Sequence, residues 1–203
     1  MLAEWSAECA AEDPVLVVPW SDTSDPASTA HFIDLRESPY DLDQIVEAEQ
    51  NPPLMQALRS LNAARSPVFT AKCDAWALGA EELEALRFNI DPTLYSDPAD
   101  VPAGFGSYID LLCRDRALFV SFPRQEQVLA RLTRRAATLD HPQATLDCVL
   151  RPALIDLTGP QEGFAITLYI KAIGPDPHTA WELWSAALEA VVTLLRSKEL
   201  ALA

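Results

Sequence analysis

Glycine is scarce in this chain, with six in 203 residues. A backbone this poor in glycine has few places to wrap a phosphate, and neither G-x-x-x-x-G-K-[ST] nor G-x-G-x-x-G occurs. Gly104-Phe105-Gly106 is too short for such a cradle and reads as linker. Histidine is equally thin: His31, His141 and His178 stand alone, without the paired spacing that zinc ligands need. H-E-x-x-H and G-x-S-x-G are also missing, so no catalytic residue is assigned from motif. No apolar run approaches the ~18 residues of a membrane span. Basic residues are outnumbered 15 to 30, a net charge of −15 that repels nucleic-acid phosphates. Cys9, Cys73, Cys113 and Cys148 lie far apart with no C-x-x-C, and the opening Met1-Leu2-Ala3-Glu4 has no basic stretch before an apolar one. The expectation is a soluble, cytoplasmic protein with reduced, buried cysteines, no metal, no cofactor, no membrane and no nucleic-acid partner.

What is present is apolar patterning. Phe164, Ile166, Leu168 and Ile170 alternate with Ala165, Thr167, Tyr169 and Lys171, the period of a half-buried strand. Gly174 and Pro175 end it; Asp176 offers an N-cap oxygen and Pro177 fits the first helical position. The helix that follows carries Trp181, Trp184, Leu188, Val191 and Leu195 on one stripe, with His178, Glu182 and Glu189 opposite. Gly163 to Arg196 is therefore the expected main core-forming unit.

The remaining pattern divides in two. In the first half, a hairpin of Glu4–Cys9 with Val15–Val18 is expected, then a loop over 21–30 and a minor strand over His31–Leu35. Asp41 and Asn51 are expected to cap helices, the second carrying Leu54, Leu58 and Leu61. A strand from Val68 to Trp76 and a short helix from Glu81 to Arg87 complete the unit. Residues 91–106 read as a linker. In the second half, strands Tyr108–Cys113 and Ala117–Phe122 form a hairpin, a helix runs from Pro123, and strands over 145–157 and 163–173 precede the last helix. Pro152 cannot donate to a sheet ladder, so an edge or bulge is expected there.

Cys9 to Val18 spans the same nine positions as Cys113 to Phe122, and Leu58, Pro67 and Cys73 echo Leu132, Pro142 and Cys148. The expected architecture is α+β: a mainly antiparallel sheet with helices on one face, built of two degenerate ββαβ(β)α units in ferredoxin-like order and related by internal duplication. Chance resemblance of two ββαβ units is the other reading. Residues 1–90 form the first unit, with an insertion at about 20–50, and 107–203 the second; together they make one globular body.

Two polar features qualify as candidate sites. If helices cover one face, the other displays Ser6, Glu8, Thr70, Lys72, Asp74, Tyr108, Asp110, Thr167, Tyr169 and Lys171. Of these, Lys72, Asp74, Asp110, Tyr169 and Lys171 are the ligand-binding candidates, against the plainer reading of a wet sheet face. The second is the arginine ribbon Arg124, Arg131, Arg134 and Arg135 on the helix from Pro123, an anion or acidic-partner patch. Its plainer reading is a solvated face, or attraction to the first fifty residues, where twelve acidic side chains face Arg36 alone. The function expected is an acidic binding or protein-interaction protein, with a protein partner or a homodimer. The alternative is a small-molecule binder or enzyme with its site on the open sheet face or between the units.

Overall fold

The computed structural model describes residues 1–22, 30–90 and 102–197. Most of the expected linker, residues 91–101, and positions 23–29 of the expected loop lie outside them. The described residues build one mixed six-stranded sheet with helices packed on it.

The alternating stretch is the sheet's centre. β6 (Gln161–Gly174) pairs antiparallel with β5 (Ala144–Ile155) on one side and with β4 (Ala103–Cys113) on the other. Ile166, Leu168 and Ile170 point to the helix layer, where α6 (Pro177–Leu195) lies over β6. Asp176 caps α6 as expected, its carboxylate accepting from the backbone N–H groups of His178 and Thr179. Trp184 is fully buried, its ring 4.7 Å from Phe105 and its Nε1 donating to Ser107 at 2.9 Å. An aromatic side chain buries ~150–250 Å², or about 4–6 kcal/mol before entropy at ~25 cal/mol per Å². Beside α6 in the same layer lie α2 (Pro52–Asn62) and α5 (Phe122–Ala136), presenting Leu54, Leu58 and Leu61 and Val128, Leu129 and Leu132.

Strands of the first half take the two edges. β3 (Val68–Ala77) pairs antiparallel with β4. β1 (Leu2–Ala7) and β2 (Leu16–Val18) do not form the expected hairpin; both run parallel to β5, end to end along its outer side. Pro152 marks the break between them. β1 leaves the ladder at Leu150, β2 joins it at Ala153, and the residue with no N–H to give falls in the gap. These two parallel pairings make the sheet mixed rather than antiparallel throughout.

Other expectations are corrected as well. Ala117–Phe122 is not a return strand: α4 (Arg116–Phe119) occupies it, with Asp115 capping through its bond from Ala117 N, and α5 begins at Phe122. A short apolar run carries no period long enough to separate strand from helix, and the cap decided it. Asn51 precedes α2 but does not cap it; it follows α1 (Val46–Gln50), and its Nδ2 donates back to Glu47 O in the first turn of that helix. His31–Leu35 reduces to a single bridge from Ser21 to His31, and Asp41 opens a 3-10 turn, Asp41–Gln44, without capping it. Cys9, matched in sequence to the buried Cys113, is exposed beyond the end of β1.

The helices are not all on one face. α3 (Ala80–Asn89) packs Leu86 and Ile90 on Ile173, which alternation places opposite the α6 layer. Phe119 of α4 likewise covers Gly163 on that face, where an added Cβ would stand 2.5 Å from the ring. Between α3 and α4 the face stays open.

Candidate functional site

Register alone arranges the open face as rows across the sheet. Asp74, Tyr108, Tyr169, Asp147 and Glu4 form one, since each pairs with the next. The row above holds Trp76, Gly106, Lys171 and Thr145; the row below holds Asp110, Thr167, Val149 and Ser6. Aromatic rings tie three strands together, Trp76 to Tyr108 at 6.3 Å and Tyr108 to Tyr169 at 6.1 Å. Gly106 makes room in the row above for Leu78 and the Lys171 stem, which an added Cβ would meet at 2.9 Å and 3.2 Å.

A β-bulge sets the β3 end of these rows. Thr70 pairs with Leu111 but Cys73 with Ile109, so Ala71 and Lys72 both stand opposite Asp110. The extra residue breaks the alternation. Thr70, expected on the open face, turns to the helix layer, where Asn62 of α2 accepts from its backbone N and donates to its hydroxyl. Lys72 and Asp74 keep the open side. The ammonium of Lys72 sits 4.6 Å from the centre of the Trp20 ring, and Trp20 Nε1 donates to Ala71 O at 2.9 Å.

Asp110 is the most buried carboxylate of the face, 5 % exposed. One of its oxygens accepts from the Thr167 hydroxyl. Burial raises its pKa above the ordinary carboxylate range, with the Thr167 bond, Arg151 and Lys72 pulling the other way. Asp147 is raised too, by burial and then by Glu4. Burial and the charges of Asp110 and Asp74 push the Tyr108 phenol up. Glu82 of α3 closes the upper rim, accepting from Lys171 Nζ at 3.0 Å and from Trp76 Nε1 at 3.0 Å. Its pKa is lowered: burial acts upward, but the bonds from Lys171 and Trp76 outweigh it. At the far side Arg151 pairs with Glu8 at 3.0 Å.

Where this face meets the β3 edge, a cleft of about 970 Å³ opens. Trp20, Lys72, Cys73, Asp74 and Tyr108 line its sheet side, and Ile33, Leu35, Ile45 and Glu47 the side contributed by residues 30–47. Burial, then Glu47, Asp74 and Asp110, push the Cys73 thiol up to about 12. A second, more apolar groove of about 780 Å³ lies between Cys9, Val15, Val120, Phe122, Pro152 and Phe164.

Of the five sequence candidates, Lys72 and Asp74 line the cleft, Asp110 and Tyr169 lie on the adjoining rows, and Lys171 is tied to Glu82. No sequence signal marks Trp20 or Glu47, because Trp20 lies outside any periodic segment and α1 is too short to show a period. Glu82 and Trp76 fall within recognised elements, but only the tertiary fold turns them to Lys171. Arg124, Arg131, Arg134 and Arg135 lie exposed on α5, in the other layer, so the two candidate sites are separate. Among the described residues no three His, Cys, Asp or Glu side chains group as metal ligands, and no helix is long and apolar enough to cross a membrane.

The class defined here is an α+β protein with a mixed sheet, helices covering one face and part of the other, and an open polar stretch between them ending in a cleft. No family model matches the chain, and neither a curated protein nor a solved structure matches it.

Proposed function

We propose that this chain is a small-molecule-binding protein whose ligand seat is the cleft at the β3 edge, together with the open sheet face beside it. One observation carries the reading. A cleft of about 970 Å³ gathers Trp20, Lys72, Asp74 and Tyr108 from sequence positions far apart, with apolar Ile33, Leu35 and Ile45 across from them. Ligand sites combine this volume range with apolar walls and a few convergent polar groups. Burial and the surrounding carboxylates raise the pKa of Cys73, the thiol of the wall, which disfavours a thiolate nucleophile there and leaves binding as the reading.

The test is a fragment screen on the isotopically labelled intact protein, read by amide and indole chemical shifts. Hits are expected to move Trp20, Lys72, Asp74 and Tyr108 together, and Trp20→Ala to weaken them. Hits that map to the apolar groove around Phe122, or nowhere, overturn the reading.

The expectation of an acidic protein-interaction surface persists as a second reading, favoured by the exposed Glu4 and half-buried Asp147 continuing the row towards β1. A basic protein partner that broadened Glu4 and Asp147 signals and left Trp20 unmoved would support it.

A further inference from the structure

We propose that the cleft takes an organic cation, a primary or quaternary ammonium group carried on an apolar body. This rests on the cleft being the ligand seat, and adds the chemistry of the ligand.

The charges point that way. Glu47 and Asp74 line the cleft, Asp110 stands behind it opposite Lys72, and all three act on Cys73 at the bulge. Against these three carboxylates the bulge supplies one ammonium, Lys72. Asp110 is 5 % exposed; Arg151 and Lys72 act on it from a distance, yet among the described residues no cation stands within ion-pair distance of it. A carboxylate this buried is costly without a cation in direct contact. An anionic ligand would add a further negative charge to the same place.

The walls point the same way. The protein's own Lys72 places its ammonium 4.6 Å over the Trp20 ring, within the ~6 Å of a cation–π contact. A second internal ammonium, Lys171, is held on the neighbouring row by Glu82, which Trp76 also binds. The face thus already seats its own ammonium groups on rings and carboxylates, and Tyr108 offers a further ring in the cleft wall. Opposite the rings, the part-exposed Ile33 and Ile45 supply the apolar surface that a ligand body would cover. The chain's net charge of −15 enriches cations around it.

Three probes of one shape separate the chemistry: choline, its neutral carbon isostere with a tert-butyl group in place of the trimethylammonium, and the carboxylate built on that same tert-butyl group. Each is titrated into the intact, labelled protein. Choline is expected to shift Trp20, Lys72 and Asp74 saturably, with the neutral isostere weaker by about tenfold and the anion inert. Asp74→Asn and Glu47→Gln are each expected to weaken choline several-fold, with circular dichroism unchanged. If the isostere or the anion shifts those residues as well as choline does, the cation proposal falls and the cleft remains a ligand seat. If none of the three moves them while screening fragments do, the cation proposal again falls alone. If neither probes nor fragments move them, both readings fall together.

Discussion

At the scale of single residues, Trp184 is the largest fully buried side chain and the anchor of the helix layer. Replacing it with alanine should cost ~3–5 kcal/mol, since the cavity cannot collapse between a sheet and a helix. Trp184→Phe keeps most of the packing but leaves the buried Ser107 hydroxyl without its indole donor, for a smaller loss of ~1–3 kcal/mol. Denaturant midpoints rank the two; equal midpoints would show that the hydrogen bond, rather than the packing, dominates. The cysteines make a second prediction. All four are free, but only Cys9 is exposed. An alkylating reagent should modify one thiol in the folded protein and the other three after unfolding. Cys9 should react more slowly than a free thiol, because burial and then Asp13 and Glu8 raise its pKa. Asp110 gives a third. Its folded pKa is raised, so the folded state holds this proton more tightly than the unfolded chain does. The associated stability is complete below the unfolded pKa and is lost as pH rises through the folded one. Asp110→Asn should therefore gain on wild type at about pH 7, and the gap should close towards about pH 4. A gap that does not change with pH would refute this account.

At the scale of elements, the bulge in β3 decides what the open face displays. Asn62 holds it from α2 through both bonds to Thr70. Asn62→Ala leaves the Thr70 N–H buried and unpaired, a cost of ~1–3 kcal/mol. Because Lys72 follows within the bulge, the same change should also loosen the Lys72–Trp20 contact, seen as a shift of the Trp20 indole signal. A stability loss with that signal unmoved would separate the bulge from the cleft. On the other side of the face, α4 is seated by Phe119 on Gly163. Gly163→Ala should cost ~1–3 kcal/mol by overpacking, since backbone as well as ring stands within 2.6 Å of the new Cβ.

At the scale of the whole molecule, charge and topology set the expectations. The chain carries a net −15, while the exposed arginines of α5 lie in the layer that also packs on β1, the strand of the acidic first segment. Reversing Arg131 and Arg135 to Glu should lower stability at low salt, and added salt should narrow the gap as screening sets in over ~8–10 Å. Stability untouched at low salt would turn attention to the ribbon as an outward anion site. Strands of the first half pair with both sides of the second half's strands. Residues 102–203 expressed alone would expose the long ladders of β4 and β5, and should aggregate or fail to fold cooperatively. A monomeric, cooperatively unfolding fragment would contradict that.

The local patterns were legible in the chain itself. Alternation through Phe164–Ile170, the stripe of Trp184, Leu188 and Val191, and the Asp176-Pro177 start specified β6 and α6, because their period and caps need no distant partner. The α+β class followed from the same signals. Alternation also gave most of the open face, including Lys72, Asp74, Asp110, Tyr169 and Lys171. Pairing was decided elsewhere. Nothing in Leu16-Val17-Val18 says that β5, rather than β1, is its neighbour; Pro152 opens the gap only once β5 is in place. Nor does Val68–Trp76 show where its alternation breaks, since the bulge exists only as a mismatch against β4, stabilised by Asn62 from another element. Trp20, in an irregular segment, and Glu47, on the short helix α1, reach the cleft only through the tertiary arrangement. The sequence by itself determined which segments could bury one face. Which strands meet, which face stays open and which charges share a cleft were decided by the tertiary structure, because hydrogen-bond ladders and Coulomb fields depend on neighbours that are distant along the chain.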